Sequence, residues 1–207
     1  MFQNRSEAGR LLAMHLQKFQ NDDVLLLAIP RGGVPVAYEV AKQFNWPMDV
    51  MLIKKLGHPH NKEYAIGAVG LEDRIVEPHH DVSNEYIESE TIAVRNRLQQ
   101  MRSELMGEKP PENVKGKTAI LIDDGIATGR TVKAAVQILR KQQPAKIIVA
   151  APVASFESIE DLSKEADEVI VVYVPENFFG VGQFYYDFSQ TTDEEVIGYM
   201  QKLKENS

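Results

Sequence analysis

Residues 120–131 read ILIDDGIATGRT. An apolar run stops on two carboxylates, passes through glycine, alanine and threonine, and enters a stretch with helical spacing. The run predicts a strand over 118–122, apolar at successive positions as a strand covered on both faces is. Residues 131–142 place apolar side chains at three- and four-residue intervals and predict a helix. The alternation continues outward, with a strand at 146–151, a helix at 156–165 and a strand at 169–174. On the other side a helix is expected at 6–19, capped by Asn4 or Ser6. It is followed by a strand at 24–29 (VLLLAI), a helix at 34–44 and an apolar run at 48–53. Strands alternating with helices imply right-handed crossovers and an α/β fold with a mostly parallel sheet flanked by helices.

The remaining segments are less regular. Residues 54–62 are polar, and 57–62 read as a flexible lid. Residues 64–71 and 74–77 suggest a hairpin around Glu72 and Asp73, and 86–106 a long charged helix ended by Gly107 and Pro110-Pro111. The tail 175–188 is rich in aromatics, and 193–203 reads as a closing helix. One domain over 1–207 is expected, with 175–207 and part of the N-terminus forming a small hood.

The 207 residues are 43% hydrophobic and 26% charged, which supplies a sizeable core. No run reaches the roughly 18 apolar residues that span a bilayer, and MFQNRSEAGR does not read as a signal peptide. There are no cysteines, so thiol chemistry and disulfides are excluded, and a cytoplasmic location is expected. The net charge of −7 argues against a nucleic-acid partner, whose phosphates need a basic face. It leaves room for a basic pocket that takes a small anion.

Open parallel sheets bind ligands at the carboxyl ends of their strands. The loop 123–130 follows such an end and precedes a helix, and its composition says what it can hold. Gly125, Ala127 and Gly129 let a ligand approach the backbone, and Thr128 and Thr131 add hydroxyl donors. The following helix presents free N–H groups at its positive end, which suits a phosphate. Asp123 and Asp124 repel phosphate but accept hydrogen bonds from hydroxyls, at roughly 1.5–3 kcal/mol per charge-assisted bond. A ligand with vicinal hydroxyls at one end and a phosphate at the other, such as a ribose 5-phosphate, meets both demands. The Gly-Lys-Ser/Thr ending of nucleotide-hydrolase loops is missing.

The string closely resembles the signature of the type I phosphoribosyltransferases, which bind 5-phosphoribosyl 1-pyrophosphate (PRPP). Their fold is a Rossmann-like, mostly parallel sheet with a hood. The resemblance implies that Asp123 and Asp124 hold the ribose hydroxyls and that Gly125, Ile126, Ala127, Thr128, Gly129, Arg130 and Thr131 form the 5-phosphate loop. Two positions depart from the common pattern: Gly125 replaces a branched apolar residue, and Arg130 a small one. Pro30-Arg31-Gly32-Gly33 also links a strand to a helix and looks like the family's pyrophosphate loop, which gives Arg31, Gly32 and Gly33 to the leaving group. Lys54 and Lys55, at the end of the next apolar run, are candidates for a further pyrophosphate contact. In YVPENFFGVGQFYYDF, which resembles a purine-enzyme hood, Phe178 or Phe179 is the expected base-stacking residue and Asp187 a later acid near the metal. His58, His60, His79 and His80 fit no regular metal-site spacing and read as solvent-exposed.

NRSEAGRLL, AIPRGGVPVA, KLGHPHNKEYAIGAV and YYDFSQTTDEEV further resemble a group of bacterial predicted phosphoribosyltransferases across nearly the whole chain. The implied function is transfer of the 5-phosphoribosyl group from PRPP to a nitrogenous base, with purines among the candidates, releasing pyrophosphate as in nucleotide salvage. Mg²⁺ is the implied cofactor, with Asp123 and Asp124 as indirect ligands and Asp187 as another. A homodimer is compatible with this reading, and no membrane or nucleic-acid partner is expected. The alternative is a non-catalytic regulator that binds PRPP or a nucleotide.

Overall fold

The computed structural model describes residues 1–205; within them the side chain of Glu63 is left aside. Asn206 and Ser207, the last two residues of the expected hood, lie outside the described residues. The chain runs α1 (Arg5–Leu16), β1 (Val24–Ala28), α2 (Gly33–Phe44), β2 (Met48–Val50), β3 (Ile53–His58), β4 (Asn61–Gly70) and β5 (Arg74–Val76). It continues through α3 (Asn84–Met106), β6 (Thr118–Ile122), α4 (Arg130–Lys141), β7 (Lys146–Val153), α5 (Phe156–Leu162), β8 (Glu168–Tyr173) and α6 (Asp193–Glu205).

Five strands form a parallel sheet in the order β2-β1-β6-β7-β8. The residues of β1 and β6 are buried throughout, because helices cover both faces. Alternation sorts them into two cores. Leu26, Ala28, Ile120, Ile122 and Ile148 pack with Leu12, Val36, Val40, Leu98 and Met200 from α1, α2, α3 and α6. Leu25, Leu27, Ala119, Leu121 and Val149 pack with Val132, Val136 and Leu139 of α4 and Leu162 of α5. Each buried Leu, Ile or Val contributes roughly 1.5–3 kcal/mol relative to exposure.

Two helices bring the N-terminus to the sheet's functional edge. Asn4 caps α1, its side chain accepting a hydrogen bond from the Glu7 N–H at 3.0 Å. Gly9 then lies so close to α2 that a Cβ there would sit 2.6 Å from the Val36 carbonyl oxygen. The two helices share that contact at comparable distances from their N-termini, so Arg5 lies beside the loop that precedes α2. The expected hood over 175–207 is corrected in part: α6 lies on α2 and α3 with Val196 and Met200 in the main core, because its apolar face matches those helices. The hood itself is built by residues 178–185 packed with the N-terminus. The Phe2 N–H donates to the Phe184 carbonyl (2.8 Å), and Tyr186 and Asp187 donate to the carbonyls of Phe2 and Gln3 (both 2.9 Å). Phe2, Ala8, Val153, Phe184 and Tyr185 form its core.

The expected run at 48–53 and lid at 57–62 are corrected. The run divides after Val50: Met51 and Leu52 are buried in a crossover, and Ile53 opens a separate antiparallel sheet, β3-β4-β5. Apolar character persisted across a change of strand partner, which hydropathy does not register. Residues 57–62 belong to the β3–β4 hairpin, which turns at Pro59-His60, and register shifts on either side of Gly57 accommodate the bend. The hairpin expected at 64–71 and 74–77 corresponds to β4 and β5.

Candidate active site

β1 and β6 are neighbours, yet their connections leave in opposite directions, β1 toward β2 and β6 toward β7. This reversal opens a crevice at the carboxyl ends of the two strands. The loops that enter it touch. A Cβ on Gly32 would lie 2.0 Å from the Asp124 carboxylate, and one on Gly33 would lie 2.5 Å from the Ile122 carbonyl oxygen. Glycine at 33 therefore lets the two backbones meet, and glycine at 32 leaves the Asp124 carboxylate its present orientation. The Ile29 N–H donates to the Ile122 carbonyl at 2.8 Å, and the Pro30–Arg31 peptide is cis.

The loop after β6 is held at several points. Asp123 Oδ1 accepts from the Asp124 N–H at 2.9 Å. The Asp124 carboxylate accepts from Arg5 Nε at 2.8 Å, and the Asp124 carbonyl from the Tyr185 hydroxyl at 2.6 Å. Ile126 is buried and its N–H donates to the Val153 carbonyl at 2.9 Å, while Ser155 Oγ donates to the Ala127 carbonyl at 2.8 Å. Gly129 adopts φ 66°, a left-handed conformation suited to glycine, just before α4. Ala127, Thr128, Arg130 and Thr131 are exposed around the start of that helix, an arrangement that can cradle a phosphate. The departure at Gly125 has a steric explanation: Val181 of the hood fills the space, its Cγ1 2.4 Å from where a Cβ would be.

Charge is arranged unevenly in the crevice. Burial, reinforced by the neighbouring Asp124 carboxylate, raises the proton affinity of Asp123 well above that of an ordinary aspartate. Burial and then Asp124 likewise push the Tyr185 hydroxyl upward. Arg31 donates through Nε and Nη2 to the two carboxylate oxygens of Asp193, at 2.6 and 3.0 Å, and this bond raises the guanidinium pKa further. Asp193 opens α6, whose N-terminus is closed by reciprocal bonds between Thr192 and Glu195.

A cleft of about 350 Å³ is lined by Arg5, Arg31, Gly32, Asp124, Phe188, Gln190 and Thr191. Of the residues singled out in the sequence, it brings together Arg31, Gly32 and Asp124, with Asp123 and Gly33 adjoining them. Lys54 and Lys55 are exposed on β3 and lie outside this lining. Phe178 packs on Phe184 in the hood with ring centroids 5.3 Å apart, and Phe179 is 91% exposed. The aromatic wall of the cleft is Phe188, which stacks on Tyr185 at 5.1 Å. Asp187 is exposed and accepts from the Ser189 N–H at 3.0 Å, a bond that holds its carboxyl below the usual range.

Arg5, Tyr185, Phe188, Gln190, Thr191 and Asp193 were not singled out individually. The signal for Arg5 was the NRSEAGRLL start, but nothing in local spacing links it to a carboxylate 119 positions away. Two histidine expectations are corrected: His79 is half-buried with its Nε2 enclosed, and His58 is buried, its Nε2 3.1 Å from Asp81. Folding of the β3–β4 hairpin encloses it, a tertiary effect the polar local sequence conceals. Among the described residues no cluster of three or more His, Cys, Asp or Glu side chains could hold a metal ion. No helix among them is long and apolar enough to cross a membrane.

Comparison with known proteins converges on one family. The family model described as phosphoribosyl transferase domain matches residues 3–189. A Mycobacterium tuberculosis protein, provisionally named a phosphoribosyl transferase, is 36% identical over 208 aligned positions, covering 98% of this chain and 47% of the relative. The chain thus spans about half the length of the curated relatives it matches. The crystal structure of TT1426 from Thermus thermophilus superposes with a TM-score of 0.88 at 36% identity, over 98% of this chain and 99% of that one. A ribose-phosphate pyrophosphokinase of Pyrococcus furiosus is 46% identical over 61 residues, 28% of this chain and 22% of that protein.

Proposed function

Because the chain belongs to the phosphoribosyl transferase domain family, we propose that it is a transferase that moves the 5-phosphoribosyl group of PRPP to a nitrogen of a base and releases pyrophosphate. The observation that carries this reading is the meeting of two loops at one switch point. One bears paired carboxylates and a glycine-threonine turn at a helix start; the other bears Arg31 and two glycines whose Cα atoms face the first loop. Asp123 and Asp124 accept hydrogen bonds from the ribose hydroxyls, residues 125–131 wrap the 5-phosphate, and Arg31 meets the pyrophosphate.

In the reaction the bond from ribose C1 to the pyrophosphate oxygen breaks and a bond from C1 to the acceptor nitrogen forms. The nitrogen sheds its proton, for which Asp124 and Asp187 are the candidate acceptors. The Ser189 N–H that stabilises the Asp187 anion makes Asp187 a weaker base than an ordinary aspartate. Positive charge develops on the ribose as pyrophosphate departs, so the chain's contribution is alignment of the reactants and neutralisation of the leaving group. Arg31 supplies that neutralisation once its guanidinium turns from Asp193 to the ligand.

The residues present fit Mg²⁺. Two adjacent carboxylates without a full cage suit an ion that keeps several waters and takes its remaining ligands from substrate phosphates. When bound, it would shield pyrophosphate charge and lower the barrier to its departure. Purines are the first acceptors to try, and salvage of free bases is the reaction class. Incubating the chain with PRPP, Mg²⁺ and a panel of purine and pyrimidine bases while following pyrophosphate tests the proposal. Base-dependent release is the expected result; PRPP binding without release for any base would favour a regulatory binding protein instead.

A further inference from the structure

Asp124 is gripped by the two ends of the chain. Its carboxylate Oδ2 takes the Arg5 Nε hydrogen bond, and its carbonyl takes the Tyr185 hydroxyl. Arg5 is itself fixed on three sides. Nη1 donates to the Ser189 carbonyl at 2.7 Å, the guanidinium carbon lies 4.1 Å from the Phe188 ring centroid, and the Asn4 cap sets the start of its helix. The side chains of Arg5 and Asp124 are only 11% and 13% exposed, so water competes little for the pair.

Such enclosure has a function if Asp124 must hold one orientation. A lone aspartate at a loop tip rotates about two side-chain bonds and would lose that freedom on meeting a ligand. With Oδ2 tied to Arg5, the carboxylate plane is set before any ligand arrives, and Oδ1 is the oxygen left to meet a hydroxyl. Resting on the PRPP reading given above, we propose that Arg5 is a positioning residue: it orients the Asp124 carboxylate for the ribose diol and does not itself touch the ligand. The first helix is then part of the donor site, which gives the NRSEAGRLL segment a role that the transfer chemistry alone did not.

Titration calorimetry of the full chain with PRPP and, separately, with pyrophosphate, both in Mg²⁺, distinguishes this role from others. Arg5→Gln is expected to weaken PRPP binding about tenfold, the scale of one oriented charge-assisted hydrogen bond, and to change pyrophosphate binding by less than about twofold. Arg5→Lys, which keeps the charge but not the fork, is expected to fall between Arg5→Gln and the unmodified chain. In an Asp124→Asn background, Arg5→Gln is expected to cost nothing further, since the group it orients is already lost. Arg10→Gln, outside the cleft lining, serves as a control for surface charge and is expected to match the unmodified chain. Equal losses for both ligands would show a merely structural role, and a further loss in the Asp124→Asn background would show direct contact; either overturns the proposal. So would an Arg5→Gln chain that binds PRPP normally. If the unmodified chain binds pyrophosphate but not PRPP, the donor assignment itself fails along with the proposal.

Discussion

Two ion pairs flank the cleft, and water reaches them very differently. Arg5–Asp124 has side chains 11% and 13% exposed, whereas Arg31–Asp193 has 39% and 42%. Both join a loop at the switch point to a segment near one end of the described chain, across 119 and 162 positions. Exposed pairs contribute about 0–1 kcal/mol and exchange partners readily, whereas removing one member of a buried pair costs about 3–5 kcal/mol. The difference matches the tasks assigned to the two loops. A carboxylate that reads hydroxyl geometry gains from being fixed, and a guanidinium that must meet an arriving anion gains from a partner that yields.

The comparison can be calibrated, broken or sharpened by substitution. Its upper limit is Arg102–Asp49, with side chains 8% and 2% exposed, two bonds of 3.0 Å, and further Asp49 bonds from the Val50 and Glu112 N–H groups. Asp49→Ala strands this guanidinium and is expected to lower unfolding free energy by about 3–5 kcal/mol, read by urea denaturation. Gly32→Ala places a methyl against the Asp124 carboxylate, which must swing out of its present orientation. A loss of about 1–3 kcal/mol in PRPP binding is expected by calorimetry with folding retained, and normal binding would refute the close approach. Asp193→Asn removes the charge that competes for Arg31. Pyrophosphate should bind roughly two- to fivefold tighter, in line with an exposed pair, and weaker binding would mean that Asp193 holds Arg31 in its productive pose.

The smallest expected effect is on stability with pH. The folded state raises the proton affinity of Asp123 above its ordinary 3.8, so folding binds that proton more tightly than the unfolded chain does. The associated stability is present below 3.8 and is lost as pH rises through the raised value. Asp123→Asn, which cannot ionise, is therefore expected to gain in melting temperature relative to the unmodified chain as pH climbs from 4 toward neutrality. A difference independent of pH would contradict the burial of an ionisable Asp123.

Much of this was legible in the sequence because it is local. VLLLA of β1 and TAILI of β6 announce strands covered on both faces, and each ends in a loop whose glycines and charges stand side by side. What escaped was set by distant contacts. The third strand of the small sheet, β3, was hidden because Met51 and Leu52 stay buried while the chain changes sheets. The departure at Gly125 has no local reason, because the space a side chain would take is filled by Val181, 56 positions away in sequence. Arg5 and Asp193 carry no local mark of function; only the packing of α1 on α2 and the return of the tail bring them to the cleft. The resemblance to a purine-enzyme hood pointed to Phe178 or Phe179, whereas the ring in the cleft wall is Phe188, since Phe178 packs on Phe184.

The claim on which the rest depends is that the two aspartates read the ribose while the other loop reads pyrophosphate. Calorimetry of the Asp123→Asn, Asp124→Asn double variant tests it most directly, with PRPP and pyrophosphate as ligands in Mg²⁺. Two charge-assisted bonds at roughly 1.5–3 kcal/mol each predict a loss of at least about a hundredfold for PRPP and less than about threefold for pyrophosphate. Equal losses for the two ligands, or unchanged PRPP affinity, would contradict the account.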